Sequence, residues 1–376
     1  MAVSSKPSAA ALAKLAAWTV LAAAAVALFL APGPKPLVPS GVGRVERAEV
    51  LEVDDSDVQL HGMIEFGTER MKVRLGDGRE ARACNELRAQ LELDKKFRPG
   101  DTALVVVPDG CEEGDVLVAR DHWRLGWAFA LFGCFAAFLC AFGGWTGVRA
   151  LATFVFSCFA IWKFLVPAAL SGHSATAVSF ATVAFLSAVI IFLVAGATRK
   201  GAAAFLGSIL GVAASLGLAE FFTAVMHVNG ATMPFSQQLL YSGCPGVDLR
   251  DIFVGATILA SSGAVMDLGM DIAAGICEVA RHGSGLGFRD LFASGCRIGR
   301  AVVGTMTTTL LLAYSGGYLT LLMVFASQGT APADFVNSTL VSAEVVKTLV
   351  GSFGLVLVAP ATALAGAWLF AGKGAK

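Results

Sequence analysis

Charge is scarce in this chain. Only 15% of its 376 residues are Asp, Glu, Lys or Arg, and the 28 acidic and 28 basic side chains cancel. A phosphate-binding surface needs a concentrated excess of Lys and Arg, so no nucleic-acid partner is expected. Histidine is limited to five residues and no Cys-x-x-Cys pair or Cys/His cluster occurs, which argues against a zinc or dithiol redox site. No serine nucleophile motif with a His partner is present, since His173, His227 and His282 all stand in connections between apolar runs. The glycines of Gly283-Ser284-Gly285-Leu286-Gly287 follow no strand and precede no Lys-Ser/Thr pair, so a phosphate loop is not expected there. Neither an enzyme nor a cofactor nor a metal site is expected. A clear internal repeat is also lacking, which removes a symmetry many transporters carry.

Apolar residues are abundant instead. They make up 56% of the chain, with a mean hydropathy of +0.71, whereas soluble domains carry roughly a quarter charged residues. Runs of about 20 apolar residues, enough to cross roughly 30 Å of hydrocarbon, lie near 14–31, 125–142, 149–169, 174–196, 202–226, 252–276, 301–326 and 346–370. Lys6 and Lys14 precede the first run, Arg149 follows the second, and Arg199 and Lys200 follow the fourth. Arg281, Arg289, Arg297 and Arg300 follow the sixth, and Lys373 and Lys376 end the chain. Connections 171–173 and 327–345 carry no Lys or Arg, and 227–251 carries only Arg250. By the positive-inside rule both termini are cytoplasmic and 32–124 lies outside. The first run also reads as a signal peptide, although no clean A-x-A site stands out; the retained anchor is the reading adopted.

The expected architecture is an α-helical polytopic membrane protein of about eight transmembrane helices, with a small extracytoplasmic all-β domain between the first and second. Residues 1–35 form the anchor, 36–120 the β domain and 121–376 a seven-helix transmembrane domain. Within the β domain, 44–54, 58–64, 71–75 and 103–107 read as strands, separated by Asp55-Ser56-Asp57, Gly76-Asp77-Gly78 and Pro99-Gly100-Asp101. Residues 86–95 read as a short helix, and an OB-like barrel is the favoured fold. Its scattered charges describe a solvated surface, with a structural or partner-docking role expected and ligand binding as the alternative. Cys84, Cys111 and Cys244 face the oxidising side in this topology, so a Cys84–Cys111 bridge is open to the external domain.

The most informative run is 252–276, which carries Asp267 and Asp271. A carboxylate at the centre of a membrane helix costs on the order of 2.5–3.5 kcal/mol, so it asks for a partner or a role. Helical spacing puts Asp267, Asp271 and Glu278 on one face with Gly263, Ala274 and Gly275. Those small residues let another helix approach, which predicts that the acids sit inside a bundle. Two carboxylates about 6 Å apart in a low dielectric do not readily both ionise, so a transferable proton is expected between them. Arg297 and Arg300 are the expected counter-charges for Glu278 and Asp271. Thr305, Thr307 and Thr308, with Thr309, either line a polar path or bond to their own helix. Lys163 and Glu220 are expected near the outer interface.

The segments Asp248-Leu249-Arg250-Asp251-Ile252-Phe253 and Gly263-Ala264-Val265-Met266-Asp267 are followed by Ser294-Gly295 to Gly299-Arg300 and by Gly304-Thr305-Met306-Thr307 with Leu311-Leu312-Ala313-Tyr314. Glu344, Gly351-Ser352-Phe353-Gly354-Leu355-Val356-Leu357 and Pro360 complete the set. In these motifs the chain resembles the YibE/F-like family of bacterial multi-pass membrane proteins, over nearly its whole length. The resemblance implies a bacterial plasma-membrane location and loosely implies transport; it supplies no substrate. Asp271 and Thr308 depart from the family pattern, so Asp267 is the stronger site residue. The expected function is a permease or secondary transporter for a small solute or ion, with proton coupling as one form of it; the alternative is a non-transporting membrane scaffold or sensor whose external domain binds a partner. An intramembrane aspartyl protease is disfavoured, because Gly269-Met270-Asp271 lacks the second glycine of a GxGD motif and both acids share one helix.

Overall fold

The computed structural model describes residues 43–371 except 109, 111–113, 244–245 and 284. The first apolar run, Cys111 and Cys244 lie outside the described residues, and with them the Cys84–Cys111 bridge. The chain divides into two compact units that meet in sequence at Phe142/Gly143.

The first unit holds a closed five-stranded barrel. Its strands are β1 (Arg44–His61), β2 (Ile64–Leu75), β3 (Glu80–Arg88), β4 (Thr102–Val107) and β5 (Val116–His122). The strand order around the barrel is β1-β2-β3-β5-β4, with the β3–β5 contact parallel and the remaining pairings antiparallel. Alternate residues turn inward, as a half-buried strand requires: Ala48 and Val50, Met71, Val73 and Leu75, Ala83 and Leu87, Ala103 and Val105, Leu117 and Ala119. The Gly76-Asp77-Gly78 turn joins β2 to β3, with the Asp77 carboxylate accepting from the Arg79 amide at 3.0 Å. Two expectations are corrected. Asp55-Ser56-Asp57 is a bulge inside the 18-residue β1 rather than a turn, its register shifting between Asp54 and Asp57 while β2 pairs on both sides of it; β4 pairs with residues 44–49, ahead of the bulge. Gly67 opposes the bulge at φ +129°, where a Cβ would run into the Asp57 carbonyl. Residues 86–95 are not helical, because pairing with β2 carries β3 to Arg88 and buries Leu87. Past it, Asp94 accepts from the amides of Arg88 and Gln90 at 2.9 and 2.7 Å and folds the chain into turns.

One ionisable group is fully buried in the barrel wall. Glu69 accepts from Asn85 Nδ2 at 2.8 Å and from the Phe97 amide at 3.3 Å, while Asn85 also donates to the Lys95 carbonyl at 2.6 Å. This cluster fastens segment 95–97, so that Phe97 enters the core and stacks on His122 at 4.4 Å. Burial pushes the Glu69 carboxyl above its ordinary range, with the two hydrogen bonds opposing it. The folded barrel therefore holds that proton more tightly than the unfolded chain does. The associated stability is complete below the ordinary carboxylate value and is lost as pH rises through the raised one. Thermal melts of the full chain, followed by the strand component of the infrared amide I band, should show barrel stability falling with pH in that window; Glu69→Gln should flatten the dependence.

The second unit is helical. Helix α1 (Leu125–Ala160) begins in the first unit and passes into this one; it is broken at Gly144 (φ 53°, ψ −130°) and continues through a π-turn, Ile161–Leu165, into a short helix ending at Leu170. Then follow α2 (Ala175–Ala195), α3 (Arg199–Val225), α4 (Leu249–His282), α5 (Phe288–Gly317), α6 (Leu319–Ser327) and α7 (Thr339–Phe370), with short helices at Ser236–Tyr241 and Pro332–Asn337. The starts of α2, α3 and α4 are capped by Ser174, Thr198 and Asp248. Among the described residues five helices are long and apolar enough to cross a membrane, or six if α5 and α6, bent by 65°, form one span. This fits a multi-pass membrane protein. The eight apolar runs map onto fewer helices because 125–142 and 149–169 fall in one 46-residue element and 14–31 lies outside the described residues.

Helix α4 is central, packing against α2, α3, α5 and α7. Small residues make these contacts close. A Cβ on Gly255 would lie 2.6 Å from Ser179 Oγ of α2, and one on Gly269 would lie 2.6 Å from Ser208 Oγ of α3. Between α3 and α7, Gly207 abuts Thr362 and Gly211 abuts Val358. Gly295 and Gly299 of α5 seat against Ala363 and Ala359 of α7 at 2.8 Å from the built Cβ.

Candidate functional site

The contacts of α4 leave one face uncovered. Ala256, Ala260, Gly263, Asp267, Asp271, Ala274 and Glu278 are exposed, each three or four residues from the next, while Val265, Leu268, Ile272 and Ile276 face the core. Asp267, Asp271 and Glu278 do share a face, but that face points away from the bundle of this chain. Of the small residues expected to admit a neighbouring helix, Gly263 and Ala274 are exposed, with nothing within 4 Å of a Cβ built on Gly263, whereas Gly275 is half-buried and does admit α5. Helices α2, α3 and α7 each expose large apolar side chains, among them Phe185, Leu210 and Phe353. Helix α4 exposes none, and α5 exposes none between Phe288 and Leu311.

The uncovered face continues onto α5. Arg297, Arg300, Ala301, Gly304, Thr305, Thr308 and Thr309 are exposed, whereas Leu291, Gly295, Gly299 and Leu310 are buried. The two helices touch where a Cβ on Gly275 would lie 2.7 Å from Ile298 Cδ1. From that contact toward the Leu249 end, Asp267 is eight residues away and Thr305 of the antiparallel α5 seven, about 12 and 10.5 Å at 1.5 Å per residue. Carboxylate and hydroxyl therefore stand at similar height. By the same measure Asp271 and Arg300 are about 6 and 3 Å above the contact, and Glu278 and Arg297 about 4.5 and 1.5 Å below it.

Proximity in height brings no ion pair between α4 and α5 among the described residues. Glu278 pairs with its own helix, with Arg281 at 3.7 Å and His282 at 3.4 Å. Arg297 donates to Ser294 Oγ at 3.0 Å, and neither Arg300 nor Asp271 forms an ion pair among the described residues. The expected pairing of these arginines with Glu278 and Asp271 is corrected: among the described residues the ion pairs of Glu278 are with its i+3 and i+4 neighbours on α4. The Thr hydroxyls of Thr305, Thr307, Thr308 and Thr309 donate to the carbonyls of Val302, Val303, Gly304 and Thr305 at 2.7 to 3.1 Å. Their second lone pairs stay available. Glu220 meets Arg250 at 3.4 Å near the start of α4. Among the described residues no group of three His, Cys, Asp or Glu side chains is placed to hold a metal.

A profile of the YibE/F-like protein family matches residues 131–372, more than half of the chain. The chain belongs to the YibE/F-like family. In this YibE/F-like protein the matched range covers the helices from within α1 to the end of α7 and leaves the barrel outside it. No curated protein and no solved structure matches the chain.

Sequence reasoning missed two features of the unit. Ser208 and Thr362, both fully buried without a hydrogen-bond partner, converge on the back of α4 at Gly269; isolated small polar residues in apolar runs were the only signal. Asp251 clasps the start of α2, accepting from Ser174 Oγ and the Thr176 amide at 3.2 Å, while Thr176 Oγ1 donates to the Asp251 carbonyl at 3.0 Å. Asp251→Ala should lower thermal stability by about 1–2 kcal/mol, the lower part of the usual cost of removing a charged acceptor, because Ser174 is exposed and only Thr176 is buried. Thr309→Val, which removes only a bond within one helix, should cost less than about 1 kcal/mol. Scanning fluorimetry of the purified variants checks both.

Proposed function

We propose that this YibE/F-like protein is a permease or secondary transporter for a small solute or ion, coupled to proton movement through Asp267. The observation that carries the reading is a row of carboxylates at mid-helix on the one long helix with no large apolar side chain turned outward. A lipid-facing helix surface is built from Leu, Phe, Val and Ile; a surface of Ala, Gly, Asp and Glu fits water or protein. Asp267 takes up and releases the proton, Asp271 tunes it, and Glu278 with its Arg281 and His282 neighbours sits at the cytoplasmic mouth. The free lone pairs of Thr305, Thr307 and Thr308 serve as polar lining at the height of Asp267 and above.

The topology belongs to the same proposal. Helix α1 through Leu170 has 46 residues, about twice what one crossing needs, and the break at Gly144 makes it two. With α2, α3, α4, the α5–α6 pair, α7 and the first apolar run, eight crossings result, both termini lie in the cytoplasm of a bacterial cell, and the barrel stands outside its plasma membrane. The order β1-β2-β3-β5-β4 supports an OB-like reading of the barrel. A groove of about 1530 Å³ on it, lined by charges of both signs such as Arg44, Glu46, Arg70 and Glu80, favours a second reading in which the barrel docks a partner and the protein acts as scaffold or sensor.

Proteoliposomes separate the two. In vesicles loaded with a pH-sensitive dye, the parent protein should dissipate an imposed proton gradient when its solute is supplied from a pool of small ions and metabolites. Asp267→Asn should abolish that response while leaving the melting temperature unchanged. Equal flux from the parent and from Asp267→Asn would remove Asp267 from the mechanism, and no flux from a folded parent across the pool would favour the scaffold.

A further inference from the structure

We propose that the uncovered face of α4 and α5 is the interface of a homodimer, in which Asp271 and Glu278 of one copy pair with Arg300 and Arg297 of the partner subunit about a two-fold axis along the membrane normal. The inference goes beyond transport and stands whether or not the chain carries a solute.

Three observations lead to it. The face is unsuited to lipid, since across α4 and along α5 from Arg289 to Leu310 no large apolar side chain is exposed, while the other long helices expose many. It is also shaped for close approach, because Ala256, Ala260, Gly263 and Ala274 on α4 and Ala301 and Gly304 on α5 let a second backbone come near. Finally, its charges are complementary to themselves. Acids line α4, arginines line the cytoplasmic half of α5, and Asp271 and Arg300 form no ion pair among the described residues.

A two-fold axis along the membrane normal keeps every residue at its own depth. Across such an axis Asp271 meets Arg300 with a height offset of about 3 Å, and Glu278 meets Arg297 with a similar one, both within the reach of an arginine side chain. Each pair occurs twice, and the guanidinium fork can engage a carboxylate through two hydrogen bonds. Helix α4 of each copy lies in the groove between α4 and α5 of the other, which avoids setting acid against acid. The first apolar run of the same chain is a poorer occupant. From Leu15 to Ala31 it carries no ionisable side chain and supplies nothing opposite Asp271. Asp267, level with Thr305 rather than with an arginine, keeps its carboxyl free in the seam.

The test uses the full-length protein in its native membrane. In a parent chain whose eight native cysteines are replaced by serine or alanine, single cysteines at Ala260, Gly263 and Ala274 are oxidised with copper phenanthroline, alongside that cysteine-free parent and Phe353→Cys on the apolar outer side of α7. A disulfide-linked dimer should form at one or more of the three stripe positions and not in the parent or at Phe353. In lipid nanodiscs, Asp271→Arg and Arg300→Asp should each weaken self-association by roughly tenfold or more, as an unpaired buried charge requires, and the double reversal should restore it. A monomer in nanodiscs with no stripe cross-link overturns the proposal. So does cross-linking at Phe353 as strong as at the stripe, or a stripe cysteine captured instead by one placed at Ala22 of the same chain or by a different protein.

Discussion

Glycine and hydroxyl contacts fix the rotation of α4, and the chemistry of the helical unit depends on that rotation. Ser179 meets Gly255 and Ser208 meets Gly269 at distances where no side chain could intervene. A turn of α4 by one residue, about 100°, would drive Val254 or Leu268 into those hydroxyls. With the rotation set, Asp267, Asp271 and Glu278 can point only away from the chain's own core. Their exposure follows from packing on the opposite side of the helix.

The same economy of side-chain size runs through the unit. Gly207, Gly211 and Gly354 join α3 to α7, and Gly295 and Gly299 join α5 to α7. In a lipid environment apolar burial contributes little to helix association, so close van der Waals contact and interhelical polar contacts carry it. The unpartnered hydroxyls of Ser208 and Thr362 lie against glycine backbone, where Cα–H donors are the nearest partners. The barrel relies on a different balance. It buries alternating Ala, Val and Leu behind paired strands, and it tolerates Glu69 inside only because Asn85 and the Phe97 amide hold it.

Much of this was legible in the residues, in proportion to how local each signal was. Period-two alternation marked β1, β2 and β4, and Gly76-Asp77-Gly78 marked the β2–β3 turn. Asp55-Ser56-Asp57 looked the same but served a bulge, because an Asx motif satisfies a bend as well as a reversal and only the β2 pairing on both sides of it decides between them. Residues 86–95 have helical composition, yet Leu87 and Asn85 are committed to the barrel by partners 16 and more residues away. Helical spacing correctly put the three acids on one face. It could not show which face is covered, since Gly255 and Gly269 on the packed side look no different from Gly263 on the open one. The resemblance carried by the Asp267, Gly304-Thr305 and Gly351 motifs agrees with the family match over 131–372.

The central claim is that the acidic face of α4 is turned from lipid although none of the described residues covers it. Site-directed spin labelling of the protein in bilayers tests this directly. A nitroxide at Ala260 or Ala274 should collide with dissolved oxygen far less often than one at Phe353, which stands on an apolar outer surface. An oxygen collision rate at Ala260 and Ala274 equal to that at Phe353 would place Asp267 and Asp271 against hydrocarbon and contradict the account.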